Sequence, residues 1–317
     1  MTFDLPLAIG GLLVGTVVGL TGIGGGALMT PMLVFFAGIN PLTAISSDIV
    51  VSLLMKPAAA VVHLRRGTVN LPLVGWLCLG SVPAAFSGAW FISLMPQGEA
   101  LDQALRQLLG IALLVSTSGL LVRAGLQMWR NRLPLGEGPA GVVPKPVLKV
   151  RPVPTVILGA VAGFMVGMTS VGAGSIIIVV LLLMYPRLKA SSLVGTDLTQ
   201  AIPLVAAAAA GHLLYGSFSL TVASSLLIGA IPGAWFGAHL SSRVPGGVIR
   251  RILVVLLLAS GLRLLGVPSE WVLVIVTSTV ILGGLAWIYI RGRVTRVTRA
   301  AGGHAADDAP RTDTSAP

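Results

Sequence analysis

Residues Gly19–Pro31 read GLTGIGGGALMTP, and a related stretch, Gly167–Gly174, reads GMTSVGAG. Each interrupts a long apolar segment in which a single helix should otherwise run undisturbed. Four of the five positions from 22 to 26 are glycine, and each glycine in a helix interior costs about 1 kcal/mol relative to alanine. A helix broken within a bilayer persists only where its freed backbone groups line a cavity or are buried in protein. Broken segments at corresponding positions of two halves are the best sequence pointer to a binding site in a membrane carrier.

The rest of the chain is consistent with a bilayer setting. It has 317 residues, is 55% hydrophobic and 10% charged, and has a mean hydropathy of +0.95; such values indicate a polytopic membrane protein. The net charge of +11 comes from short loops and a tail, the pattern of cytoplasmic membrane edges, so nucleic acid is not an expected partner. Cys78 is the one cysteine, which excludes an internal disulfide or a cysteine metal site. The first segment has no basic n-region and no A-x-A site, so no cleaved signal peptide is expected.

Apolar segments fall at about 5–37, 41–64, 71–95, 104–126, 154–184, 190–214, 219–242, 248–265 and 271–290, separated by turn-forming sequences such as GINP at 38–41 and RRGTVN at 65–70. Met128–Pro154 contains six prolines and five basic residues and reads as a linker. The end of the chain after Ile290 is basic, then small and polar, and is expected to be disordered. The organisation expected is a first membrane repeat over 1–126, a basic Pro-rich cytoplasmic linker over 127–153 and a second repeat over 154–266, then an additional transmembrane helix over 271–290 and a cytoplasmic tail over 291–317.

The repeat is explicit. A shift of 148 aligns Gly19, Thr21, Gly24 and Gly26 with Gly167, Thr169, Gly172 and Gly174. A shift of 149 aligns Asp48, His63, Gly67, Gly80, Pro83 and Gly88 with Asp197, His212, Gly216, Gly229, Pro232 and Gly237.

Charge then tests topology. If every apolar segment crosses once, lysine and arginine divide about evenly between the two sides. If 154–184 enters and returns to the same side, the division becomes about 18 to 2, with Arg106 and Arg263 alone on the far side. Thirty-one residues are also too few for two full spans of about 20 residues each, but enough for two half-depth arms. The repeat extends this to 5–37. The expected fold is all-α and polytopic, with two inverted repeats, each a glycine-broken re-entrant hairpin plus three transmembrane helices, and one extra C-terminal transmembrane helix.

Half-helix ends meeting in mid-membrane would aim unpaired N–H groups and a positive dipole end at the cavity, a combination that binds anions. Gly22, Gly24, Gly25, Gly26, Gly172 and Gly174 would let a ligand touch backbone, with hydroxyls from Thr21, Thr30, Thr169, Ser170 and Ser175. The other reading is that the glycines only permit close helix packing. Asp48 and Asp197 are the only acidic residues within the apolar segments, and intramembrane carboxylates default to functional hypotheses. Either they cap adjacent helix ends, or they couple transport to protons. Lys56 lies eight residues after Asp48, with Ser52 between at i+4, all on one side of a helix. The second half has Val205 there. Ser47, Thr196 and Gln200 complete the candidate set. His63 and His212 are more simply read as helix-end residues, and no ligand cluster surrounds them. No P-loop, dinucleotide fingerprint, H-E-x-x-H or nucleophile elbow is present, so an enzyme and a bound cofactor are not expected.

GLTGIGGG followed by Pro31, then Ser46-Ser47-Asp48, Lys56, His63 and RRGTV, and in the second half GTDL, His212 and YGS, resemble the TauE/SafE family of sulfite-exporter-like permeases. The likeness covers about 9–126 and 154–265. The second motif departs from the family pattern at Ser170 and Ala173, where glycines are common. The resemblance implies a duplicated membrane protein of about eight apolar segments that moves sulfite, sulfoacetate or a related small anion.

The expected protein is therefore an anion permease of the bacterial inner membrane with a cytoplasmic C-terminus. It works by alternating access, with the bilayer, a small anion and, where the carboxylates couple transport, protons as partners. Two alternatives remain: a cation or metal permease using Asp48, Asp197, His63 and His212, and a non-transporting assembly partner.

Overall fold

A computed structural model describes residues 4–21, 25–130, 150–171, 174–185, 188, 190–240 and 246–284. Most of the expected linker and the whole tail after Ile290 lie outside the described residues, as do Gly22, Gly24 and Gly172. Every regular element among the described residues is helical.

The first half contributes α1 (Leu5–Thr21), α2 (Gly26–Phe35), α3 (Pro41–Arg65), α4 (Leu71–Ser93) and α5 (Glu99–Arg130). The second contributes α6 (Pro152–Thr169), α7 (Gly174–Met184), α8 (Ala190–Tyr215), α9 (Leu220–Leu240) and α10 (Gly246–Leu264). These ten helices belong to one compact unit ending at Val267. A second unit begins at Pro268 and holds an apolar helix, α11, over Ser269–Gly284. Residues 285–290 of the expected additional span lie outside the described residues.

Among the described residues, five helices are long and apolar enough to cross a bilayer: α4, the Glu99–Leu126 part of α5, α6, the Ser192–Tyr215 part of α8, and Leu220–Gly237 of α9. The protein is thus a multi-pass membrane protein. Large apolar side chains on these and neighbouring helices face outward, among them Leu13, Val161 and Trp235, each more than 60% exposed, as lipid-facing positions should be. α3 has the length, at 25 residues, but carries Asp48 and Lys56.

Two pairs of arms flank the sequence breaks, and the arms are unequal. α1 and α6 have 17 and 18 residues, whereas α2 and α7 have 10 and 11. At 1.5 Å per residue, the first arms reach about 26 Å and the second about 16 Å. Only the second arms have the half-depth length expected from the sequence, because the apolar run before each break is longer than the run after it.

Small residues dictate which helices pair. α1 lies against α9, and α6 against α4. A methyl group at Gly15 would come within 2.5 Å of the Ala230 carbonyl oxygen, and one at Gly233 or Gly237 would overlap the carbonyl of Leu12 or Thr16. On the other pair, methyls at Gly163 and Gly167 would overlap the carbonyls of Ser81 and Ala85. Backbones this close are the helix contact that glycine allows in membranes. Positions advance together along both members of each pair, so α1 is parallel to α9 and α6 is parallel to α4.

Side-chain contacts give further directions. Gln200 meets Cys78 and Ser81, and Gly211 meets Ala89, so α8 is parallel to α4. Ser46 meets His212 while Gly195 meets His63, so α3 and α8 are antiparallel. α6 and α8 therefore run the same way, and the intervening α7 turns the chain back.

Candidate functional site

The two breaks meet. A methyl at Gly26, the first residue of α2, would overlap the carbonyl oxygen of Ser170, the residue that closes α6. Ser170 is the one non-glycine among the described residues with positive φ, at +56°. Left-handed backbone costs a side-chain-bearing residue about 1–2 kcal/mol, and glycine is the usual occupant. The serine has a reason to be there: its hydroxyl donates to Asp48 Oδ2 at 2.8 Å.

Asp48 joins the halves. Besides Ser170, its Oδ2 accepts from Thr30 on α2 at 2.6 Å, and Ser52 lies 3.5 Å from Oδ1. Asp48, Thr30, Ser52 and Ser170 are all buried. Gly25, which precedes α2, has room for a methyl 3.6 Å from Ser52 Oγ and 3.9 Å from Asp48 Oδ1. Asp197 occupies the equivalent place in the second half: a methyl at Gly174, the first residue of α7, would stand 2.6 Å from its Oδ2. Each carboxylate thus sits near the positive dipole end of a short arm. Asp197 takes a long bond from Gln200 Nε2 at 3.4 Å, and Gln200 Oε1 accepts from Ser81 on α4 at 3.2 Å.

Lys56 acts electrostatically on both carboxylates, and Arg123 of α5 acts on Asp197. Arg123 is not among the residues singled out from the sequence. Seven residues earlier, and so on the same face of α5, Ser116 is buried and its hydroxyl makes no hydrogen bond among the described residues.

Other candidate residues are engaged elsewhere. Ser47 Oγ accepts from the backbone N–H of Ser219 at 3.4 Å, and Thr196 Oγ1 from that of Asn70 at 3.1 Å. Ser219 and Asn70 precede α9 and α4, so these hydroxyls fix the helix starts of the opposite half. Thr169 donates to the Met165 carbonyl at 2.7 Å within its own helix. Thr21 ends α1, its side chain outside the description.

The histidines are not brought to the carboxylates. His212 Nε2 lies 2.7 Å from the Gly167 carbonyl and Nδ1 lies 2.9 Å from Ser46 Oγ. A carbonyl only accepts, so Nε2 carries a proton. His63 Nδ1 lies 3.0 Å from Thr68 Oγ1. Among the described residues no group of three or more His, Cys, Asp or Glu side chains is placed to hold a metal ion.

A chain of membrane-crossing helices whose broken segments meet over buried charges defines a membrane transporter. The sequence profile of the family described as "Sulfite exporter TauE/SafE" matches residues 7–264, and the chain belongs to that family. It is 36% identical over 265 residues to "Probable membrane transporter protein YjnA" of Bacillus subtilis (strain 168), covering 83% of this chain and all of that protein. It is also similar to two other proteins of that organism. "Probable membrane transporter protein YunE" is 23% identical, over 75% of this chain and 87% of its own length. "Probable membrane transporter protein YdhB" is 24% identical, over 80% and 96%. No solved structure gives a significant match.

Proposed function

We propose that the protein carries a small anion, a sulfur oxyanion or sulfonate of the sulfite or sulfoacetate type, by alternating access across a bacterial inner membrane. The observation that carries this reading is the pairing of buried carboxylates with two cations. Lys56 and Arg123 converge electrostatically on Asp197, and Lys56 also acts on Asp48. A pathway for cations would gain nothing from a half-buried lysine inside a membrane helix, whereas an anion requires a counter-charge in a medium of low dielectric constant. The anion binds beside the meeting breaks, with Lys56, Arg123 and backbone N–H groups near Gly25, Gly26 and Gly174 as its donors. The family description points to the same class of substrate.

Inverted halves supply the alternation. Corresponding helices α3 and α8 run in opposite directions, and the first arm of each half docks on the fourth helix of the other. Rocking one half against the other then exposes the breaks first to one side and then to the other. The basic residues of the linker and tail hold the C-terminus in the cytoplasm; C-terminal reporter fusions that are active only outside would overturn that orientation.

Counterflow of labelled anion in proteoliposomes tests the reading without depending on the charge carried per cycle. The panel is sulfite, sulfate, thiosulfate, sulfoacetate, taurine and lactate, run for wild type and Lys56→Met. Saturable exchange of a sulfur anion, lost in the variant, is the expected result. No exchange across the panel by folded protein would overturn the proposal.

A further inference from the structure

The two equivalent aspartates stand in chemically different shells. Around Asp48 the hydrogen-bonding groups are hydroxyls: Thr30 at 2.6 Å, Ser170 at 2.8 Å and Ser52 at 3.5 Å. A hydroxyl both donates and accepts. It therefore serves an ionised carboxylate as a donor and a protonated one as an acceptor, by rotating a single O–H bond.

Among the described residues the hydrogen-bonding partner of Asp197 is an amide, and its charged neighbours are two cations. Gln200 Nε2 approaches Oδ1 at 3.4 Å, and Ser81, 3.2 Å from Gln200 Oε1, orients that amide. Lys56 and Arg123 add positive charge. Ammonium and guanidinium groups have no lone pair to offer a carboxylic acid, and Gln200 offers its Oε1 only by turning its amide over and reversing its bond with Ser81. Protonating Asp197 gives up the attraction of two cations, whereas protonating Asp48 gives up that of Lys56 alone and leaves its hydroxyl partners satisfied.

We propose that Asp48 is the proton-binding carboxylate of the transport cycle, while Asp197 stays ionised as the counter-charge of Lys56 and Arg123. One proton passes from water to an Asp48 oxygen, and one hydroxyl of the shell reverses from donor to acceptor; release reverses both steps.

The groups facing Asp48 are few. On its own helix there is Lys56. α2 carries no titratable side chain. α9 carries His239, which bonds to the Trp235 carbonyl. α8 brings Asp197 and also His212, which is tied to Gly167 and Ser46. α5 brings Arg123, which acts on Asp197.

This proposal rests on the anion-carrier reading in one respect. Ionised Asp48 occupies the hydroxyls of Thr30 and Ser170 that an oxyanion would otherwise use at the meeting of the breaks. Protonated Asp48 needs fewer donors, so anion and proton load together.

The test needs no substrate. Infrared difference spectra between acid and alkaline pH are recorded on the full-length protein in proteoliposomes, following the C=O stretch of a buried carboxylic acid. The expected result is a titrating band that disappears in Asp48→Asn and persists in Asp197→Asn. Ser170→Gly removes one hydroxyl and suits a φ of +56°, so it folds, and it moves the midpoint of the band. Ser81→Ala, whose hydroxyl serves Gln200, leaves the midpoint in place.

A band that survives Asp48→Asn, or one that is lost in Asp197→Asn, would overturn the assignment. If Asp48→Asn does not fold, an unmoved midpoint in Ser170→Gly overturns it equally. An intact titration with no anion counterflow would refute the carrier reading alone, and counterflow without the titration would refute this proposal alone.

Discussion

At the scale of single residues, the site depends on where small groups let backbone and carboxylate come together. Gly26→Ala forces a methyl into the Ser170 carbonyl; a loss of about 3 kcal/mol is expected, since overpacking against backbone has no flexible neighbour to yield. Gly25→Ala, whose methyl would make ordinary contacts at 3.6–3.9 Å with Ser52, Asp48 and Met29, should change stability little. Thermal melts of the two variants in detergent check the contrast. His212→Ala strands the Gly167 carbonyl and Ser46 hydroxyl in a buried place, and should cost about 1–3 kcal/mol for each group left unpaired. His63→Ala, at a half-buried residue bonded to Thr68 on the same helix end, should cost clearly less in the same assay. Part of this scale was legible in advance: the i+4 spacing put Ser52 on the side of Asp48, whereas the approach of Ser170 and Gly26 depends on contacts between the halves. Ser47 and Thr196 bond to the opposite half for a geometrical reason. Each immediately precedes its aspartate, and neighbouring helical residues point about 100° apart, so the hydroxyl faces a different helix from the carboxylate.

Among elements, the glycines divide into two groups with different work. Those at 25, 26 and 174 lie at the breaks, while those at 15, 163, 233 and 237 bring two parallel helix pairs into backbone contact. Sequence reasoning weighed site against packing for the breaks as a whole. Gly167 within the second motif belongs to the packing group because it faces Ala85, while Gly25 and Gly174 face the carboxylates. Periodicity reveals that a face is small; it does not say which of nine other helices that face will meet. Gly233→Ala should destabilise the α1–α9 contact by about 1–3 kcal/mol. Gly75→Ala on α4, which has open space around it, should be neutral or slightly stabilising, because alanine favours helix. Denaturant titration of the two proteins would show the difference, and equal midpoints would refute the close-contact account.

For the molecule as a whole, the family match ends at residue 264 and the larger unit at Val267. A chain stopped after Val267 should keep anion counterflow within about twofold of the full-length protein, provided it reaches the membrane; transport lost from a folded truncation would make the second unit part of the machinery. The duplication, the breaks and the bilayer setting were all readable from residue order. The swapped docking of α1 on α9 and α6 on α4 was not, because it depends on contacts between segments far apart in the chain. That docking has a consequence for how the protein is made. The backbone N–H of Asp4 bonds to the hydroxyl of Ser225, a separation of 221 residues. At synthesis rates of about 5–20 residues per second, α1 waits roughly 10–45 s before its docking partner exists. Throughout that interval its glycine face lies open to lipid or to a chaperone of the insertion machinery, and the quality of the finished carrier depends on that face staying unoccupied.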